Sequence, residues 1–311
     1  LGFFLHTPFP PRDVLSVLPE HDRLMQGLSA YDLIGFQTET DAENFRTYME
    51  YAHEAVRTDS ETIRVFGRRI TVIALPIGLD AETFAAMAES EQARKTAERA
   101  ARVAQDQSFV IGVDRMDYSK GLPERMRAFD RLLAAHEDMR ERVTYLQITP
   151  PSRQDVEEYA DLHETVDQIV GRVNGHYSEL DWTPIRYITR SYPHAALTGL
   201  YRLARVGFVT PLRDGMNLVA KEFVAAQDPA DPGVLVLSEF AGAAETLTAA
   251  VQVNPHDPDA MADALYRALT MPLAERQERH AALIATIRRH DLRWWHETFL
   301  DRLKSLAIPA R

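Results

Sequence analysis

Cysteine does not occur in this chain, which excludes disulfides, thiolate nucleophiles and Cys-ligated zinc together. That absence fits a reducing compartment, so a cytoplasmic location is expected. Positive charge is also short: 35 Lys and Arg against 46 Asp and Glu leave a net charge of −11. An acidic surface disfavours nucleic acid and anionic membranes as partners, yet an anionic small molecule can still bind where cations gather locally. No apolar run approaches the ~20 residues that span a bilayer, and no signal-peptide pattern is present. The signatures G-x-G-x-x-G, G-x-x-x-x-G-K-[ST], H-E-x-x-H and G-x-S-x-G are all missing. Their absence argues against the common dinucleotide, phosphate-loop, zinc-protease and hydrolase sites. The one D-x-D, Asp257-Pro258-Asp259, precedes a helical pattern with Pro near its first turn, so it reads as a helix cap and not as a pair of metal ligands. No metal site and no cofactor is expected.

What is present is alternation. Short apolar, β-rich runs occur at Phe3–Leu5, Leu33–Phe36, Ile70–Leu75, Phe109–Val113, Val143–Ile148, Ile185–Ile188, Val206–Val209, Val234–Leu237 and Val251–Val253. Helical patterns lie between them, among them Ala42–Ala55, Pro123–Ala135, Gln154–Ile169, Ala195–Leu203, Leu218–Ala226 and Asp259–Leu269. Continuous apolar strands alternating with amphipathic helices predict α/β domains built on doubly wound parallel sheets. The 311 residues suffice for about two such domains. The boundary is expected in the stretch from about Gly78 to Gln107, which holds an alanine- and charge-rich segment, Glu91–Arg99, with no β signal. Residues 1–95 are therefore expected to belong to one domain and 96–290 to a complete second one, with 291–311 a C-terminal helix carrying Trp294 and Trp295. Among the histidines, His136, His163 and His280 sit in polar helical patterns and are expected to be solvated.

Two segments could carry chemistry. Arg115 and Lys120 lie in Asp114-Arg115-Met116-Asp117-Tyr118-Ser119-Lys120-Gly121, directly after an apolar strand. The carboxyl edge of an open α/β sheet is where ligands bind, and an Arg fork plus a Lys point charge could neutralise a diphosphate. The alternative is a surface loop salt-bridged to Asp114 and Asp117. The second segment is Pro211-Leu212-Arg213-Asp214-Gly215-Met216-Asn217-Leu218-Val219-Ala220-Lys221-Glu222, also after a strand. Gly215 permits positive φ and close backbone approach. A helix starting near Met216 would aim unpaired amides at an anion. Asp214 could accept from sugar hydroxyls, and Glu222, four residues after Leu218, could reach a ribose. A capped helix with a solvated Glu222 is the alternative. His6, at a strand end before Thr7-Pro8-Phe9-Pro10-Pro11, and Arg153, in Thr149-Pro150-Pro151-Ser152-Arg153, could each face a ligand or serve structure alone.

These segments together resemble glycosyltransferase family 20, the trehalose-6-phosphate synthase family. The resemblance is carried in order by Phe3–Pro10, Tyr31–Thr38, Arg115–Pro123, Arg172–Gly175, Thr210–Glu222 and Gly233–Ala244. It implies a GT-B fold of two Rossmann-like domains and a retaining, metal-independent, front-face transfer of glucose from UDP-glucose, or another nucleotide glucose, to glucose 6-phosphate. The product would be α,α-trehalose 6-phosphate. On the matching positions it implies a diphosphate clamp at Arg115 and Lys120, and a glucose cradle at Asp214 with the backbone of Gly215, Met216 and Asn217. It further implies nucleotide contacts at Leu218, Val219, Ala220, Lys221 and Tyr192, a ribose ligand at Glu222, an acceptor-phosphate ligand at Arg153 and a donor-sugar contact at His6. Residues 291–311 look like the helix that crosses back to the first domain. A homo-oligomer is left open.

The chain opens inside a buried-looking strand, Leu1–His6, with no lead-in, so truncation is expected. The family's N-terminal segment, with its glycine-containing donor loop and most acceptor ligands, would lie upstream of Leu1. Residues 1–90 should then expose apolar surface, and these 311 residues alone should have little transferase activity. Two rivals remain: a pseudo-glycosyltransferase joining a nucleotide-linked cyclitol to an aminocyclitol phosphate, and a non-catalytic sugar-nucleotide-binding regulator.

Overall fold

The apolar runs become strands in two separate sheets, in a computed structural model that describes residues 1–104, 107–150 and 157–307. The chain divides into two compact units, Leu1–Gly78 with Arg289–Arg311, and Leu79–Arg288. The first holds β1 (Gly2–Phe4), β2 (Leu33–Phe36), β3 (Val56–Arg57), β4 (Thr62–Val65) and β5 (Arg68–Ala74) in the order β1-β2-β5-β4-β3. β1, β2 and β5 are parallel. β4 and β3 extend the sheet antiparallel, a departure from the purely parallel sheet expected. The β4–β5 hairpin turns through Phe66 and Gly67 at φ 52° and 72°. Two consecutive positive φ values define a two-residue hairpin turn that usually carries Asn or Gly first, and Phe66 hid that signal.

Both faces of this sheet are covered. The helix Glu39–His53 starts where Thr38 accepts from the Asp41 amide at 3.1 Å and packs Phe45, Tyr48 and Met49 in a cluster with Phe36, Ile63, Ile70 and Val72. The helix Leu292–Ala307 sets Trp294, Trp295, Phe299 and Leu303 against Leu33, Ile73 and Leu75, with the Trp295 indole donating to the Leu75 carbonyl at 3.1 Å. Exposed apolar side chains in this unit include Leu1, Val14, Val17, Leu18 and Leu24.

The second unit is regular. β6 (Ser108–Val113), β7 (Val143–Ile148), β8 (Ile185–Ile188), β9 (Val206–Val209), β10 (Val234–Ser238) and β11 (Val251–Val253) are ordered β11-β10-β9-β6-β7-β8, and all neighbours are parallel. Every residue of β7, β9 and β10 is buried, as strands covered on both faces require. Counted within the unit, the order is 6-5-4-1-2-3, that of dinucleotide-type sheets. It reverses between β6 and β9, where the loops leaving the two strands part and open a crevice. Among the described residues no helix is long and apolar enough to cross a membrane.

Two expectations are corrected here. The compact division at Gly78–Leu79 falls at the leading edge of the expected stretch; residues 79–95 thus belong to the second unit and not to the first, as does the helix Glu91–Ala104. Its small side chains let it press on the helix His194–Leu203, where a Cβ on Gly199 would sit 2.2 Å from the Ala93 carbonyl oxygen. His280 is buried, with Nε2 3.1 Å from the Val224 carbonyl oxygen, and burial pushes its pKa down. Its helix, Leu273–Arg289, reads as polar but lies against Val224. Asp257 does cap the helix Pro258–Thr270, accepting from the Ala260 amide at 2.9 Å. Gly199→Ala is expected to cost about 1–3 kcal/mol through overpacking at a backbone that cannot yield; an unchanged urea midpoint would contradict this close approach.

Candidate active site

The loop leaving β6 is shaped by its own polar side chains. Asp117 accepts from the Ser119 amide at 2.9 Å and from the Ser119 hydroxyl at 2.8 Å, capping a short 3₁₀ turn over Tyr118–Lys120. Gly121, at φ 65°, then redirects the chain into the helix Leu122–Ala135. Arg115 is exposed and makes no hydrogen bond or ion pair among the described residues. Lys120 turns inward instead, its ammonium 2.6 Å from the Asp214 carboxylate.

Asp214 belongs to the loop leaving β9, so the two loops meet at the switch point of the sheet. Their backbones are tied as well, the Ser119 carbonyl accepting from the Leu212 and Arg213 amides at 2.8 and 3.3 Å. From the other side the loop after β10 supports the turn: Gly242 donates to the Asp214 carbonyl at 3.0 Å and Ala243 to the Met216 carbonyl at 2.8 Å. The left-handed residue is not Gly215, as expected, but Asn217 at φ 73°. Asn217 caps the helix Leu218–Ala226 with Oδ1 on the Ala220 amide at 3.3 Å, while its Nδ2 donates to Asp214 at 3.0 Å. The helix spans Leu218–Ala226, the bounds its pattern gave, and so starts two residues after Met216. Its earliest amides, at Leu218 and Val219, have no intrahelical acceptor.

One residue that sequence reasoning missed organises the region. Arg125 is fully buried. Its Nη1 donates to Asp114 at 2.6 Å and to Gln147 at 3.2 Å, Nη2 to the Lys120 carbonyl at 3.1 Å, and Nε to the Thr210 hydroxyl at 3.2 Å. Burial pushes the Asp114 carboxyl up, and the Arg125 charge opposes that shift. A signal was available: Arg125 falls on the apolar stripe of its helix, three residues after Leu122 and four before Phe129, both fully buried. A charged residue in such a stripe needs partners.

The remaining candidates spread outward. Glu222 is half-buried, its carboxylate 3.4 Å from the buried Tyr201 hydroxyl, and burial pushes its pKa up. Lys221 is 3% exposed, and burial lowers its ammonium to about 8. Tyr192 follows β8, two strands from the switch point on β6, and its hydroxyl accepts from Arg190 at 2.8 Å. His6 belongs to the first unit, exposed at the end of β1 with Nδ1 3.0 Å from the Gln37 amide nitrogen. Arg153 lies outside the described residues. Among the described residues no group of three or more His, Cys, Asp or Glu could hold a metal ion.

Comparison with known proteins matches this arrangement. A family model described as Glycosyltransferase family 20 covers residues 1–305. The trehalose-6-phosphate synthase of Sinorhizobium fredii is 48% identical over 303 residues, which are 97% of this chain and 65% of that relative. The crystal structure of α,α-trehalose 6-phosphate synthase from Burkholderia multivorans is similar with a TM-score of 0.96 at 50% identity, covering 98% of this chain and 65% of that one. A UDP-forming α,α-trehalose-phosphate synthase from Burkholderia xenovorans, in complex with glucose-6-phosphate, gives a TM-score of 0.95 at 46% identity and covers 97% of this chain and 68% of that one. This chain therefore spans about two thirds of the length of the relatives it matches. Two Rossmann-like units, a switch point bounded by the Arg115–Lys120 and Asp214–Asn217 loops, and a match along nearly its whole length place the chain in glycosyltransferase family 20.

Proposed function

We propose that Arg115, Lys120 and the turn Asp214–Asn217 hold the diphosphate and hexose of UDP-glucose or another nucleotide glucose. The protein carrying this chain would then move the glucose to glucose 6-phosphate, giving α,α-trehalose 6-phosphate. The observation that carries this reading is the pairing of the Lys120 ammonium with the Asp214 carboxylate, 2.6 Å apart at the switch point. A group suited to phosphate oxygens and a group suited to sugar hydroxyls stand side by side, as the junction between a leaving diphosphate and its hexose demands. The named relatives are trehalose-6-phosphate synthases, one of them UDP-forming with glucose-6-phosphate bound.

The chemical difficulty is charge building on the leaving diphosphate. Cations and amides already fixed in place act chiefly on that developing charge, which raises the rate and not merely the affinity. Asp214 already accepts from Lys120 at 2.6 Å and from Asn217 at 3.0 Å on the same oxygen. An oxygen so engaged is a poor nucleophile and a good anchor. The family resemblance implies a front-face transfer with retention, in which the leaving phosphate takes the acceptor's proton and Asp214 serves as an anchor. In this reading Glu222 binds the ribose, Leu218 to Lys221 and Tyr192 border the nucleotide, and Arg153 meets the acceptor phosphate.

Full-length protein incubated with glucose 6-phosphate and a panel of nucleotide glucoses is expected to release α,α-trehalose 6-phosphate; no product from any donor would defeat the proposal. Arg115→Ala and Lys120→Ala should each lower kcat/KM on the order of 10²–10³-fold, about 3 kcal/mol, and an unchanged value would remove that residue from the clamp. Glu222 gives a pH test. Its raised folded pKa means that its charge opposes folding near neutrality, and that this penalty fades as pH falls through the raised value toward 4.5. Glu222→Gln should therefore raise the thermal midpoint near neutral pH, lose that gain in acid and bind UDP more weakly. A lower midpoint near neutrality would contradict the assignment.

A further inference from the structure

The clamp needs its cation and its turn at a fixed separation, and neither loop can set that alone. We propose that Arg125 is the positioning residue for nucleoside diphosphate recognition, its guanidinium spacing Lys120 against the turn Asp214–Asn217. This rests on the reading of those loops as the diphosphate site.

A purely structural ion pair would require Asp114 alone. Arg125 instead sends its donors to four acceptors on three elements: Asp114 and the Lys120 carbonyl in the first loop, Gln147 in β7 and Thr210 at the root of the second loop. The guanidinium is planar and covalently rigid, so Nη2 on Lys120 and Nε on Thr210 act as a spacer of constant length. The residue bonded through its carbonyl is the one whose ammonium reaches Asp214. Thr210 lies four residues before that aspartate. The surroundings are closed: Arg125, Tyr145, Gln147 and Thr210 are all inaccessible to solvent, so no water substitutes for a lost donor. Gly112 makes the room. A Cβ there would lie 2.4 Å from the Gln147 side-chain oxygen, 2.7 Å from the Tyr145 hydroxyl and 2.8 Å from Arg125 Nη1.

Arg125 touches no substrate, so its effect must pass through Lys120 and the turn. The readout is the preference for UDP over UMP, measured as the ratio of their dissociation constants by titration calorimetry. That ratio isolates the β-phosphate and does not depend on turnover. Arg125→Met combined with Asp114→Asn removes the guanidinium without leaving a buried unpaired carboxylate. The double variant is expected to bind UMP within about twofold of the parent and to lose about tenfold or more of the UDP preference, the order of loss expected when a positioned group shifts slightly. Arg125→Lys, which keeps the charge but not the fork, should restore only part. Gly112→Ala leaves every polar group in place but displaces the cluster; it should reduce the preference as well and carries the test if the double variant does not fold. A folded variant of either kind that keeps the parent's UDP-to-UMP ratio overturns the inference. A parent with no preference for UDP overturns the diphosphate reading itself, and this inference with it.

Discussion

A guanidinium taken out of water must find an acceptor for nearly every donor, because an orphaned charge or N–H in a dry interior is costly. Arg125 meets that demand with a carboxylate, an amide oxygen, a hydroxyl and a backbone carbonyl drawn from three different elements. Satisfying it fixes where β6, β7 and β9 end relative to one another, and hence where the two loops start. The Lys120–Asp214 pair, the Asn217 cap and the Gly242 and Ala243 hydrogen bonds elaborate a frame already set beneath them.

In the proposed reading, that frame lets an acidic protein present a site for an anion. The net charge is −11, whereas Arg115 and Lys120 stand on one loop at the crevice. Arg125 and Asp114 neutralise each other below it. Lys120 is held by Asp214, while Arg115 remains exposed on the same loop. Charge is thus organised by depth: compensated in the interior, paired at the floor and unpaired at the rim.

Most of this architecture was legible in residue order. The strands Leu33–Phe36, Val143–Ile148, Ile185–Ile188, Val206–Val209 and Val251–Val253 fall where their β-rich runs place them; Leu33–Phe36 and Val206–Val209 carry the unbroken apolar signature of buried parallel strands. Four further runs become strands with bounds shifted by one or two residues. β3 and β4 escaped notice because β4 alternates Thr62-Ile63-Arg64-Val65 and its turn lacks the usual residues. The loops of the site were visible through their strand-end position. Arg125 was missed, although its place on the apolar stripe between Leu122 and Phe129 marked it as a charge in need of buried partners. The left-handed turn falls on Asn217, directly before the helix, and an asparagine there serves both as cap and as a brace for Asp214.

The first unit is discontinuous in the chain, built from Leu1–Gly78 and Arg289–Arg311, whereas the second is one uninterrupted segment. On a ribosome the second unit can complete its sheet as soon as it emerges. The earlier-made sheet must wait, with Leu33, Ile73 and Leu75 lacking their cover until Trp294, Trp295, Phe299 and Leu303 have been synthesised. This sheet is therefore sealed after the one that follows it in the chain, and during that interval the nascent chain presents a sticky apolar face that chaperones would recognise.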